Sequence, residues 1–424
     1  MRFRNANRNQ ILKNNVPPSK GKRRNRRHLR SNKSFFTRFS KFSVHSVLAS
    51  VLLVLFVMYG PFTQFRDWYI TTAMTTMNHQ FLATWFYSQE TIAEVQNRNK
   101  MIEIDSLTNP DLITTTVTQT ASTPKITYEN EFEQAVLERD EKHPDYKIIK
   151  IKESAYTGYL AVIYDPSTVQ TLVTKDLYNE GQYLMDMAED AGATIAINGG
   201  VFTGLSTSTE NIHSQEIAYG GNGGTPQGIT ISKGEIITDD SYYGAGGIIG
   251  FTEDNILVLG KMTIEKTQEL GIRDAVTCGP YLIINGETST VVGNGGWGTA
   301  PRTAIGQRQD GIVLMLCIDG RRATMPGATM SDLIDIMQRY GAYNASALDG
   351  GTSTAMVENG KLINDPIDST GAHATRPIAT GFGAVFKNKD IKKTDNMKWT
   401  FWSLLHVIYL FYVVFHTFLW YYNT

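Results

Sequence analysis

The sequence predicts an α+β domain with a mixed, largely antiparallel sheet and a few helices, held outside a membrane by an N-terminal anchor. Three observations predict it. Short apolar runs bounded by Gly, Asn and Asp dominate the middle of the chain. Only two stretches there carry both helix start and stop signals. An uncharged apolar segment follows a strongly basic block near the N-terminus.

The strand-like runs are YLAVIYD (159–165), ATIAIN (193–198), GITIS (228–232), NILVLG (255–260), YLIING (281–286), IVLMLCID (312–319), ASALD (345–349) and IATGFGAVF (378–386). The turns ISKGEI and LIINGE are hairpin signals. One helix is expected near Gln182–Glu189, closed by Gly192; a second is expected near Ser331–Tyr340, with Ser331 as N-cap and Gly341 as stop.

The charge is uneven. Residues 1–41 hold fourteen Lys or Arg and no Asp or Glu, leaving 26 basic against 41 acidic residues in the remainder. Residues 42–64 contain no Asp, Glu, Lys or Arg, and their centre, VLASVLLVLFVMYG, is apolar enough for a bilayer core about 30 Å thick. A basic tail before such a segment reads as a topology and anionic-lipid signal rather than a nucleic-acid-binding arm. The sequence therefore predicts a cytoplasmic tail (1–41), a transmembrane signal anchor (42–64), and a cell-membrane protein whose main domain is extracytoplasmic. Residues 65–125 read as a stalk and a Thr-rich linker, and 126–387 as the folded domain. The aromatic segment 399–422 is uncharged and long enough to span, or to lie in the interface. Of the two cysteines, Cys317 sits in a strand-like run, where a buried free thiol is the expected state.

Two units share a pattern. AGATIAINGG follows the first helix and GAYNASALDGG the second, so helix, apolar strand, polar residue and Gly-Gly recur at a separation of 151 residues. If both units sit alike on one sheet, Asn198 and Asp349 emerge at equivalent strand ends, where the glycines would let a ligand approach. An actin or sugar-kinase phosphate loop would share the Asp-x-Gly-Thr spacing at Asp349, but lacks its second loop here. An aspartic-type peptidase would need Asp-Thr-Gly or Asp-Ser-Gly, and Gly350 holds the middle position.

The wider set of turns is more informative: INGGVF, GGTPQGITISKGEI, CGPYLIINGE, APRTAIGQ, CIDGRR, ALDGGTSTAM and TRPIATGFGAVF. They place Arg302, Arg321 and Arg376, the carboxylates Asp319 and Asp349, and Asn198, Thr352 and Ser353 at glycine-bounded strand ends. Arginines suit an anionic oxygen ligand such as phosphate, and carboxylates suit acid, base or nucleophile work at a glycosidic centre.

In this order the turns closely resemble the motifs of the phosphodiester glycosidase family, over roughly Tyr156 to Phe386. The resemblance implies a hydrolase that cleaves sugar 1-phosphodiesters on the sugar side; taken together with the anchor, it suggests a surface enzyme acting on phosphate-linked glycans of the cell envelope. It carries onto Asn198, Arg302, Asp319, Asp349, Thr352, Ser353 and Arg376, with Gly199 and Gly350 beside them. Thr352 stands where the family commonly has Gly or Ser, which alters the loop that would meet a ligand. The expected roles are Arg302 and Arg376 on the phosphate oxygens, Asp349 as base or nucleophile with Asp319 as its partner, and Asn198 and Thr352 on sugar hydroxyls or water. No cofactor is implied for certain; a divalent metal between the carboxylates stays open, although the His residues are scattered. The alternatives are a non-catalytic polysaccharide-binding domain of the same fold and, more remotely, an aspartic-type peptidase.

Overall fold

The computed structural model describes residues 44–76, 79–115, 127–205, 217–219, 221–239, 247–368 and 370–386. The basic tail (1–41) and the aromatic segment 399–422 lie outside the described residues. Contacts divide the chain into two units, Met1–Arg66 and Asp67–Thr424.

In the first unit a helix covers Val44–Tyr59 and presents Val47, Leu48, Val51, Leu52 and Leu53 on its exposed surface. Pro61 cannot continue it, because it lacks the N–H and its ring clashes with the preceding turn. At 1.5 Å per residue the helix is about 24 Å long, short of a bilayer core of about 30 Å. Among the described residues no single helix is long and apolar enough to cross a membrane.

In the second unit a seven-stranded sheet runs in the order Glu287–Thr288, Tyr281–Ile284, Ala342–Ala347, Arg302–Arg308, Val313–Ile318, Thr157–Ile163, Tyr146–Lys152. A five-stranded sheet runs Lys361–Leu362, Met356–Glu358, Ile195–Asn198, Thr380–Ala384, Val169–Val173. Another runs Glu235–Asp239, Ile229–Ser232, Ile272–Thr277, Gly247–Thr252, Leu257–Lys261. Neighbouring strands in all three pair antiparallel, so the sheets are less mixed than the sequence suggested.

The two-residue period of a strand explains the layering. Val313, Met315 and Cys317 pack into a central core with Ile195, Ile197, Phe382, Phe251 and Leu257. Leu314, Leu316 and Ile318 point to the other face, where helix Met330–Arg339 covers them with Met330, Leu333 and Met337. Helix Leu184–Ala191 likewise covers the outer face of the Ile195–Asn198 sheet, packing Leu184, Met187 and Ala188 on Leu172, Ala196 and Val357. Fully burying one such aliphatic side chain contributes about 1.5–3 kcal/mol.

Local signals held in part. Gly192, at φ +66°, closes the first helix. The second helix starts one residue before Ser331: Thr329 is the N-cap, its hydroxyl accepting from the Asp332 N–H while the Asp332 carboxylate accepts from the Thr329 N–H. Both expected hairpins form, and each two-residue turn has positive φ at both positions, Lys233–Gly234 and Asn285–Gly286.

Over the described residues the expected stalk takes a different form, while residues 116–125 of the expected linker lie outside them. From Asp67 to Thr115 the chain is packed on the domain rather than held away from it. Strand Lys100–Ile102 pairs with Thr290–Val292, the Thr108 hydroxyl donates to Asn344 and accepts from Leu259 N–H, and Ile113 is buried against Ile231 and Val258. A Thr-rich composition did not show that these residues fill positions in an existing sheet and core.

Candidate active site

The two helix–strand–Gly-Gly units sit on different sheets, not on one as the repeat suggested, and their strand ends converge in the space between. Asn198 joins them. Its Nδ2 donates to the Asp349 carbonyl at 2.6 Å, and its Oδ1 accepts from Thr303 Oγ1 at 2.6 Å and Ala355 N at 3.1 Å. Asp349 N donates back to the Gly199 carbonyl at 3.1 Å. Asn198 is 1% exposed, so its amide fixes the two turns against each other.

The glycines serve backbone packing here. A Cβ on Gly199 would lie 2.6 Å from Thr380 Oγ1, and one on Gly350 would lie 2.9 Å from the Pro301 carbonyl. Protein atoms therefore pack closely against both glycines.

Asp349 stands at the meeting point, partly buried. Its Oδ1 accepts from Gly350 N at 3.0 Å, and the Ser353 hydroxyl also bonds the carboxylate. Desolvation pushes its pKa up; Ser353, Arg376, Gly350 N and Arg321 each pull it back down. The carboxylate thus lies in a poorly hydrated site within electrostatic reach of two guanidinium groups.

Those two arginines are Arg376 and Arg321. Arg376 Nη2 donates to the Gly221 carbonyl at 2.5 Å, and its guanidinium lies 5.0 Å from the Phe202 ring centroid. Arg321 Nη1 donates to Thr352 Oγ1 at 2.5 Å and to the Ile367 carbonyl at 3.0 Å. Desolvation and the positive charge of Arg376 lower the Arg321 pKa, while Asp349 and Asp368 raise it. Arg321 also holds φ at +62°, a region that a long side chain occupies at a cost. The sequence placed Arg321 at a strand end but assigned the anion to Arg302 and Arg376. The positive φ, and the reach of Arg321 beneath Gly351 and Thr352, have no signature in the chain itself.

Arg302 has a different position. It is buried, and its Nε donates to Ala328 O at 3.2 Å while its Nη2 donates to Trp297 O at 2.6 Å and Gly298 O at 3.0 Å. Two of its three nitrogens are therefore committed to backbone carbonyls, and burial brings its pKa down to about 10. Asp319 is also enclosed. At 3% exposure it accepts from Asn364 Nδ2 and from Asp365 N with both oxygens, at 3.0–3.1 Å. Burial raises its pKa, and the neighbouring charges that act on it are Arg322 and Asp365. These bonds anchor the Asn364–Asp365 turn. Thr352 and Ser353 turn inward, onto Arg321 and Asp349 respectively.

Cys278 and Cys317 are free and buried. Burial, with the nearby Asp349 charge, pushes the Cys278 thiol up to about 12, so it stays protonated beside the site. Among the described residues no group of three or more His, Cys, Asp or Glu is arranged to hold a metal ion.

Comparison with known proteins shows what these residues are similar to. Residues 191–385 match the phosphodiester glycosidase model. The SPbeta prophage-derived protein YomE of Bacillus subtilis strain 168 is 29% identical over 154 residues, covering 34% of this chain and 24% of that protein. The chain thus spans about a quarter of the curated relative it matches. Among solved structures, the zebrafish N-acetylglucosamine-1-phosphodiester alpha-N-acetylglucosaminidase catalytic domain, auto-inhibited by its pro-peptide, aligns with TM-score 0.46 at 20% identity over 57% of this chain and 82% of that one. A hypothetical protein from Synechocystis aligns with TM-score 0.34 at 16% identity, over 56% of this chain and 61% of that one. Over residues 191–385, less than half of its length, the chain is thus similar to the phosphodiester glycosidase family.

Proposed function

We propose that this domain hydrolyses the glycosidic bond of sugar 1-phosphodiesters, with Asp349 as the reactive carboxylate and Arg321 and Arg376 as the phosphate clamp. The observation that carries this reading is the desolvated Asp349, within the field of Arg321 and Arg376, at the meeting point of the two Gly-Gly turns.

The leaving group is a phosphate monoester, which is a weak base, so protonating it contributes little. Charge stabilisation matters more. As the bond from the anomeric carbon to the phosphate oxygen breaks, its electron pair moves onto the phosphate, where two guanidinium groups strengthen their hydrogen bonds. Water attacks the anomeric carbon and loses its proton to Asp349, or Asp349 attacks first and water releases the sugar afterwards. Desolvation makes the carboxylate more basic than one in water, which favours either role. Asp319 and Arg302 support the frame in this scheme, and Asn198 and Thr352 position Asp349 and Arg321.

The test is a substrate panel. Sugar release is measured from sugar 1-phosphodiesters, from the matching sugar 1-phosphates and from uncharged methyl glycosides. Release from the diesters alone supports the reading. Saturable binding of the diesters without release would favour the non-catalytic polysaccharide-binding alternative.

We place the domain outside the cell membrane, acting on phosphate-linked envelope glycans. The apolar helix Val44–Tyr59 behind a tail of fourteen basic residues supports that topology. Protection of residues 127–386 from protease added to intact cells would count against it.

A further inference from the structure

We propose that the aromatic turn at Phe81, Trp85 and Phe86 seats the folded domain on a membrane surface, with its rings between the lipid headgroups and the acyl chains. The proposal rests on the anchored topology proposed above and adds a second membrane contact to it. Residues 68–89 contain no Asp, Glu, Lys or Arg in a chain that is 19% charged, and six of them are Trp, Tyr or Phe. Aromatic side chains favour the membrane interface, where an apolar ring body and a polar edge are both satisfied. An uncharged segment can meet that interface without an anionic lipid.

The fold divides this segment between core and surface. Ile70, Ala83 and Tyr87 are buried and hold it on the domain. Trp85 is 73% exposed, more than any large hydrophobic residue of helix Val44–Tyr59, and Phe81 and Phe86 are exposed as well. The helical turn Phe81–Thr84, with Trp85 as its C-cap, brings Phe81 and Trp85 together four residues apart, their ring centroids at 4.7 Å. Clustered exposed aromatics of this kind mark a surface that meets an apolar partner.

Two features assign the partner to lipid rather than to a glycan or a second copy. Residues 81–87 read FLATWFY, and Thr84 turns its hydroxyl back onto the Phe81 carbonyl at 3.5 Å. The rings therefore have few neighbouring donors or acceptors with which to hold the hydroxyls of a sugar. The connection to the apolar helix is also short. From Tyr59, where that helix ends, to Asp67, where the folded unit begins, the chain extends by at most about 29 Å. A helix inserted in a bilayer thus keeps the start of this unit close to the membrane surface, so lipid is the apolar partner always within reach.

The experiment reads Trp85 in the purified full chain reconstituted with phosphatidylcholine vesicles, whose acyl chains either carry bromine near the headgroup or do not. Bromine quenches indole emission only at short range. Subtracting the emission of Trp85→Phe, which keeps an aromatic ring at the site, isolates Trp85 from the other tryptophans. Flotation with the vesicles reports insertion of the anchor separately. The expected result is a chain that floats and a Trp85 signal that loses intensity in the brominated lipid. A floating chain whose Trp85 signal is equal in the two lipids overturns the docking and leaves the topology standing. A chain that does not float overturns both. A Trp85 signal indifferent to bromine but altered by protein concentration, or by added polysaccharide, also overturns the proposal and assigns the turn to a second copy or to a glycan.

Discussion

Replacing Asn198 with alanine tests whether this residue holds the site or touches the substrate. The wild-type amide makes three hydrogen bonds, to the Asp349 carbonyl, the Thr303 hydroxyl and the Ala355 N–H, and is 1% exposed. Alanine leaves the Ala355 N–H without this acceptor and cuts one of the two direct ties between the turns, leaving the bond from Asp349 N to the Gly199 carbonyl. A net value of about 1 kcal/mol per bond gives a loss of about 3 kcal/mol, and each buried group left unsatisfied adds to it. For a domain of this size that lowers Tm by roughly 6–12 °C. The assay is urea or thermal unfolding of the purified chain, followed by kinetics well below the new midpoint. Turnover should fall chiefly through kcat, because Asp349 loses its fixed position. If Tm stays within a degree of wild type and only KM for the sugar rises, Asn198 binds substrate and the bridging role is wrong.

Other substitutions separate the arginines and titrate the carboxylate. Arg302→Met should cost about 2–3 kcal/mol of stability through the carbonyls of Trp297, Gly298 and Ala328. Unchanged unfolding together with lost inhibition by inorganic phosphate would instead place Arg302 in the anion site. The acid limb of kcat/KM should lie above the ordinary carboxylate value of about 3.9, because Asp349 must be ionised and its pKa is raised. Arg376→Met should move that limb further up, since Arg376 holds the pKa down; a limb that stays or falls contradicts the pairing. The sign also bears on stability. A raised carboxyl binds its proton more tightly in the folded state, so its contribution favours folding below the unfolded pKa and becomes a cost as pH rises through the folded one.

How much was legible in the chain differs between frame and site. Continuous apolar runs such as IVLMLCID marked buried strands because both faces of that strand meet apolar layers. APRTAIGQ read as a turn, although Arg302–Arg308 is a central strand of the seven-stranded sheet. Its polar residues are buried and satisfied: Gln307 accepts from Leu257 N and donates to the Asn255 and Gly311 carbonyls. A pattern built on hydropathy cannot distinguish a satisfied buried polar residue from a solvated one.

At the site, the recurrence of Gly-Gly after Asn198 and Asp349 suggested equivalent ends of one sheet, whereas the two turns meet from different sheets. Their placement on separate sheets depended on long-range strand order, which a local repeat does not encode. The motif residues were found, but their roles depended on which neighbours their long side chains could reach. Arg302 and Arg321 look equivalent as strand-end arginines, yet one braces carbonyls and the other acts on Asp349. Asp319 and Asp349 both follow apolar strands, yet only the second lies beside the arginine pair.

The most direct test of the account is turnover by Asp349→Asn on a sugar 1-phosphodiester that the wild-type chain hydrolyses. Removing this carboxylate costs the raised-pKa fold nothing in charge burial, so Tm should be no lower than wild type. Diester affinity should persist through Arg321 and Arg376, and kcat should fall by about two to four orders of magnitude. A kcat equal to that of the wild type, on a folded variant, would contradict the central claim that Asp349 is the reactive group.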